Sequence, residues 1–225
     1  MVEMAVVIAI IVVLSVLAWD LMRKSTPRAN FNSTSAELQG VLSDARQQAL
    51  MYGVNVGVML FPTYSTGFNA TGLLIEIRDD TNPANSIFST SAALNLANYN
   101  PAVLATSPNG EILTTYDLPQ DVLMGPVTGL GSALPFPYQA INTQIDCSFC
   151  DPGGDRRGAV YFDPRGYAWF CSVTGSGVTA TVGCTQGAGG SFSIYSTDLG
   201  IGNTYTTTTF VITSPAGSVR VFHNG

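Results

Sequence analysis

MAVVIAIIVVLSVLAW, residues 4–19, is an uncharged run that opens just after Glu3 and is closed by Asp20, Arg23 and Lys24. As a helix it is about 24 Å long at 1.5 Å per residue. An average bilayer asks for about 20 residues, and extending the helix from Val2 to Met22 brings the length close, with Trp19 at an interface. A cleaved secretory signal would carry basic residues first and a small-x-small site after the run; Ala18-Trp19-Asp20 is a poor site. A buried core helix is the third reading. Membrane insertion is the expectation. Glu3 is costly at such a position unless solvated, paired with an α-amino group or a neighbouring subunit, or held at a helix N-terminus.

About 200 residues follow, enough for one substantial core or two small ones. The chain has a net charge of −6, only 11% charged residues and 23 glycines. Lys24 is the only lysine, and the adjacent Arg156 and Arg157 stand beside Asp151 and Asp155. A polyanion-binding surface needs a basic stripe, so nucleic acid is not expected as a partner. The composition reads as an extracytoplasmic, β-rich head.

Cys147, Cys150, Cys171 and Cys184 all fall in this head. In an oxidising compartment four cysteines imply two disulfides, with three connectivities open. The expected pairing is Cys171 with Cys184, since a segment near Thr179–Cys184 can return beside the strand that ends at Cys171, and Cys147 with Cys150 as a local bridge. A crossed pairing of Cys147 or Cys150 with Cys171 would close a longer loop. Zinc is disfavoured by imperfect spacing and the lack of a nearby histidine.

Met22–Asn32 reads as the exit from the membrane, where Pro27 can bend or start a helix and Ser25, Thr26, Asn30 and Asn32 weaken helical preference. Helix resumes near Ser35, with Thr34 and Glu37 at capping-box spacing. Leu38, Leu42, Ala45, Ala49 and Tyr52 form an apolar stripe for packing on a sheet, and Gly53 ends the helix. The period then changes to two. Val54–Phe61, stopped by Pro62, and Gly72–Asp79 read as a hairpin, with Leu74 and Glu76 on one face and Leu73, Ile75 and Ile77 on the other. Glu111–Tyr116 and Val122–Met124 are further strands, and residues 86–108 hold no clean period. A Gly/Pro-rich excursion lies near 125–157. Gly158–Phe162 and Tyr167–Val173 form a hairpin about Asp163-Pro164-Arg165-Gly166. Ser191–Tyr195, Thr206–Thr213 and Ser218–Phe222 close the chain. The expected units are 1–24, a transmembrane helix; 25–53, a linker and amphipathic helix; and 54–225, the head. The fold class is α+β, a long N-terminal helix packed on an antiparallel β-rich head.

Three features resemble the type IV pilin-like superfamily, nearest to the minor pseudopilins of the GspH/FimT type. They are Glu3 before Met4 and AVVIAIIVVLSVLA; Asp44-Ala45-Arg46-Gln47-Gln48-Ala49 followed by Gly53-Val54; and Val160 to Arg165-Gly166 together with Ser214-Pro215-Ala216-Gly217-Ser218-Val219-Arg220-Val221. The resemblance covers the first 61 residues and scattered pieces after Tyr161. It implies a pilin-like fold and a non-enzymatic subunit of a type II secretion pseudopilus or a type IV pilus, carried first in the bacterial inner membrane with its head in the periplasm. It implies assembly through Val2, Glu3, Met4, Val7, Ile8, Ile11 and Leu14, Glu3 pairing with a neighbour's methylated N-terminus, and native residues preceding Met1. The partners implied are other pilin or pseudopilin subunits, an inner-membrane assembly platform, and lipid before assembly. A major pilin, or a pilus-borne adhesive or DNA-binding module, is the alternative.

An adhesive surface would use Tyr138, Phe149 and Trp169, whose simpler reading is core packing. An enzyme finds little support: His223, the only histidine, has no evident serine or cysteine partner, and no paired-acid signature or phosphate loop is present. No cofactor is expected. Asp151, Asp155 and Asp163 are weak calcium candidates whose spacing does not fit an EF-hand. Asn32-Ser33-Thr34 and Asn69-Ala70-Thr71 match the glycosylation sequon.

Overall fold

The computed structural model describes residues 2–62, 72–79, 88, 110–125, 134–141, 147–150, 157–174, 181–187, 189–197, 199 and 206–224. One helix, α1, spans Val2–Tyr52. It runs through Pro27, which removes one backbone donor without ending the helix. The expected weakening of the helix over 22–32 and its resumption near Ser35 are therefore corrected. Phe31 and Thr34 are both buried, so packing on the head holds residues that are locally weak helix formers. The helix ends where expected: Gly53 has a positive φ of 67°, and its N–H donates to the Ala49 carbonyl at 3.0 Å.

Among the described residues ten strands follow, β1 (Val56–Phe61), β2 (Leu73–Asp79), β3 (Gly110–Asp117), β4 (Val122–Met124), β5 (Gly158–Phe162), β6 (Ala168–Thr174), β7 (Thr181–Thr185), β8 (Gly189–Ser196), β9 (Thr207–Thr213) and β10 (Val219–Asn224). They form two open antiparallel sheets, a six-stranded one in the order β3-β2-β1-β5-β6-β7 and a four-stranded one in the order β10-β9-β8-β4. The β1–β2 hairpin pairs Val58 with Glu76 and Leu60 with Leu74. The β5–β6 hairpin pairs Ala159 with Cys171.

Period-two alternation sorts the side chains. Val56, Val58, Leu60, Leu74, Val160 and Phe162 of the larger sheet join Phe31, Leu38, Leu42, Ala45 and Ala49 of α1 and Phe192, Ile194, Phe210 and Ile212 of the smaller sheet in one core. Met59, Phe61, Leu73, Ile75 and Ile77 point to the other face of the larger sheet, around Phe88, Tyr161 and Cys171. A smaller cluster of Leu134, Ile141 and Val211 lies on the four-stranded sheet, with Tyr138 and Phe222 against it.

Two features of the expected fold are corrected. The β-rich region is two separate open sheets, because β4 pairs with β8 across 70 residues or more and, among the described residues, no strand joins the two ladders. Among the described residues, no helix is long and apolar enough to cross a membrane. The pilin-like class with a transmembrane half, and the single-pass inner-membrane placement with a periplasmic head, are withdrawn with it.

Candidate functional site

The described side chains at the start of α1 are apolar and open to solvent. Met4, Val6, Val7, Ile8, Ile10, Ile11, Val12, Val13, Leu14 and Val16 are between 53% and 71% exposed, and Trp19 is exposed too. Consecutive helical residues point about 100° apart, so the exposure runs around the whole circumference. A helix that is apolar all round is stable only when surrounded. The only polar residue within this stretch, Ser15, donates its hydroxyl to the Ile11 carbonyl at 2.7 Å and so presents little polarity. Val2 and Glu3 belong to the helix, but their side chains lie outside the description, and the pairing expected of Glu3 lies there with them.

Further along α1, Leu38, Leu42, Ala45 and Ala49 are fully buried against the head. Tyr52, expected on the same stripe, is exposed, with the Arg78 guanidinium 4.8 Å from its ring centre. Arg78 also forms an ion pair with Glu111. Thr34 and Glu37 do not form a capping box. Both reach the Tyr116 hydroxyl on β3, whose pKa is pushed up to about 12, mainly by burial and also by Glu37, with the Thr34 hydrogen bond acting the other way.

A carboxyl group that the strand pattern placed beside Leu74, with no role attached, sits in the helix–sheet interface. Glu76 on β2 is 2% exposed and its pKa is raised to about 7 by burial and then by Asp44 of α1, against a hydrogen bond from Thr114 of β3. Gln48 of α1 bridges the two acids, donating to Asp44 Oδ2 at 2.6 Å and to Glu76 Oε1 at 3.5 Å. The signal was present in the sequence: an acid at an inward position of a period-two strand.

The structure pairs Cys147 with Cys150 and Cys171 with Cys184. The second bridge links directly opposed residues of β6 and β7. The three aromatic residues considered for an adhesive surface are engaged within the protein. Phe149 packs on Phe170 with centroids 5.3 Å apart, Trp169 stacks on Tyr161 at 6.0 Å, and Tyr138 meets Phe222 edge-on at 5.7 Å.

His223 Nδ1 lies 3.0 Å from the Thr208 hydroxyl, a contact between directly opposed residues of β10 and β9. Asp163 directs its carboxylate into its own turn, accepting from the Arg165 and Tyr167 N–H groups at 2.9 and 3.0 Å and from the Arg165 guanidinium at 2.8 Å. Burial works against ionisation there, yet these hydrogen bonds hold its carboxyl below the usual carboxylate range. Asp151 and Asp155 lie outside the described residues, as does Asn69. Among the described residues no group of three or more acidic, histidine or cysteine side chains is placed to hold a metal ion. Asn32 is exposed on α1.

No protein-family model, curated protein or solved structure matches the chain. The resemblance to the type IV pilin-like superfamily, and to its GspH/FimT-type pseudopilins, is corrected by the fold itself: two open antiparallel sheets and, among the described residues, no helix long and apolar enough to cross a membrane. With it go the pseudopilus, pilus, major-pilin and pilus-borne roles. The quoted motifs are short and their residue types are common, so they reflect a shared physical pattern of apolar helix, amphipathic helix and strands.

Proposed function

We propose that the protein is a non-enzymatic interaction protein that self-associates, burying the apolar N-terminal part of α1 among the same segments of other copies. The observation that carries this reading is the exposure, around the entire helix, of the described apolar side chains between Met4 and Val16. One-sided exposure would suit docking into a groove. Exposure on every side suits a bundle of several helices, each burying its neighbours. Removing each Val, Ile or Leu side chain from water contributes roughly 1.5–3 kcal/mol, so even partial burial outweighs the entropy lost on association. The proposal carries no family and no membrane placement. Two disulfides support maturation of the head in an oxidising compartment.

Sedimentation velocity of the full chain over a wide concentration range tests the reading. Wild type is expected to associate, and the double variant Val7→Asp/Ile11→Asp is expected to remain monomeric with an unchanged circular dichroism spectrum from the head. A wild-type chain that stays monomeric, or a variant that associates equally well, refutes it.

A further inference from the structure

The loop Cys147-Ser148-Phe149-Cys150 occupies the seam between the two sheets. On one side it continues the row begun by β4: Cys147 makes an antiparallel bridge with Phe192 of β8. Ser148 forms a reciprocal pair with Ser191, its N–H donating to the Ser191 carbonyl and its hydroxyl accepting from the Ser191 N–H, both at 2.8 Å. On the other side Phe149 packs on Phe170 of β6. Two glycines make room for it. A Cβ on Gly158 of β5 would stand 2.9 Å from the Phe149 carbonyl oxygen and 3.1 Å from Cys150 Sγ, and one on Gly190 of β8 would stand 2.7 Å from the Phe149 ring. Four residues therefore touch β5 and β6 of the larger sheet and β8 of the smaller one, and a disulfide closes them into a ring.

The two bridges differ in place and in access. Cys171 and Cys184 are buried and join neighbouring strands of one sheet, so opening that bridge leaves the seam intact. Cys147 is buried, while Cys150 is only half-buried and is the more accessible of the two to an incoming thiolate.

We propose that the Cys147–Cys150 bridge is a redox-operated clasp between the two sheets, opened by a dithiol reductant and closed by reoxidation. A thiolate of the reductant attacks Cys150 Sγ, the S–S bond breaks, and Cys147 leaves as a thiolate that takes up a proton. The second thiol of the reductant then attacks the mixed disulfide, releasing Cys150 as a thiol and leaving the reductant as a disulfide. Two electrons and two protons pass to the protein. Without the ring, residues 147–150 regain backbone freedom, and Phe149 and the Ser148–Ser191 pair lose the constraint that holds them in the seam.

The test uses the full chain, limited dithiothreitol, trapping with N-ethylmaleimide, peptide mapping and amide hydrogen exchange. Cys147 and Cys150 are expected to be alkylated while Cys171–Cys184 is still bridged. In that species the Ser148 and Ser191 amides are expected to exchange at least about tenfold faster, while those of Phe210 and Val58 are unchanged. Oxidised glutathione is expected to restore protection. The double variant Cys147→Ser/Cys150→Ser is expected to show the fast exchange without reductant; should it fail to fold, the wild-type arm decides. Earlier opening of Cys171–Cys184, unchanged exchange at Ser148 and Ser191 after selective reduction, or loss of protection everywhere at once overturns the proposal.

Discussion

The Arg46 side chain of α1 donates from Nε to the carbonyl of Gly166 at 3.3 Å, across 120 residues of sequence. Gly166 closes the β5–β6 turn, and a Cβ on Gly217, in the β9–β10 turn, would run into the same carbonyl oxygen. One helix side chain thus gathers a turn from each sheet. Gly217 also has φ of 65°, so an L side chain there meets both strain and a backbone atom. Gly217→Ala is expected to destabilise by about 1–3 kcal/mol, and Arg46→Ala by roughly 1 kcal/mol. Urea titration of both variants checks the order.

Glu76 makes stability depend on pH in an unusual direction for a carboxyl group. Its folded pKa of about 7 lies above the ordinary value of 4.5, so between those values the folded chain holds the proton that the unfolded chain has released. Stability therefore falls as pH rises from about 4.5 to about 7. The facing groups are Asp44, Gln48 and Thr114. Glu76→Gln is expected to stabilise by on the order of 2–3 kcal/mol at pH 8 and by little at pH 4. Thermal melts across that range decide it, and equal melting shifts at both ends refute it.

Asp163 has the opposite sign. Its folded pKa is lowered, so the stability it contributes is present above the unfolded value and lost as pH falls through the folded one. Asp163→Asn is expected to cost roughly 1–2 kcal/mol at pH 7: the asparagine oxygen can still accept from the Arg165 and Tyr167 amides but without the carboxylate charge, and its NH2 faces the Arg165 guanidinium donor to donor. Denaturant unfolding at neutral pH and again in strong acid should show the difference shrinking as wild type protonates.

Leu42 of α1 is fully buried in the core shared by both sheets. Leu42→Ala is expected to cost about 2–5 kcal/mol, the range for emptying a packed site. Replacing Cys171 and Cys184 with alanine, which frees a loop with a sequence separation of 13, is expected to cost about 3 kcal/mol. Calorimetry of the two variants separates a packing loss from a loop-entropy loss.

Strand positions were legible because local chemistry bounds them. Val122–Met124 and Gly158–Phe162 coincide with the reading, and the β1, β2, β6 and β9 limits differ by one or two residues. The alternation placing Leu74 and Glu76 opposite Leu73, Ile75 and Ile77 was legible for the same reason. The division into two sheets was not, since the pairing of β4 with β8 and of Cys147 with Phe192 leaves no mark within a short window. Thr34 misled because its capping spacing with Glu37 is a local pattern, whereas its partner Tyr116 comes from a distant strand. The apolar run at residues 4–19 was plain. What surrounds it was not, because hydrophobicity states a need for cover without stating what supplies it. The family resemblance failed on a related point, since an order of element types follows from physics as readily as from descent.

The continuity of α1 links two distant places by phase. Each residue along a helix advances 1.5 Å and turns about 100°, and α1 has no break between the exposed apolar residues near its start and Phe31, the first of its described side chains that is buried. Whatever grips the tip therefore sets the azimuth of the head. Slipping that grip by one residue would swing the head by about 100°, whereas a slip of a whole number of turns would shift it along the axis and leave its heading nearly unchanged.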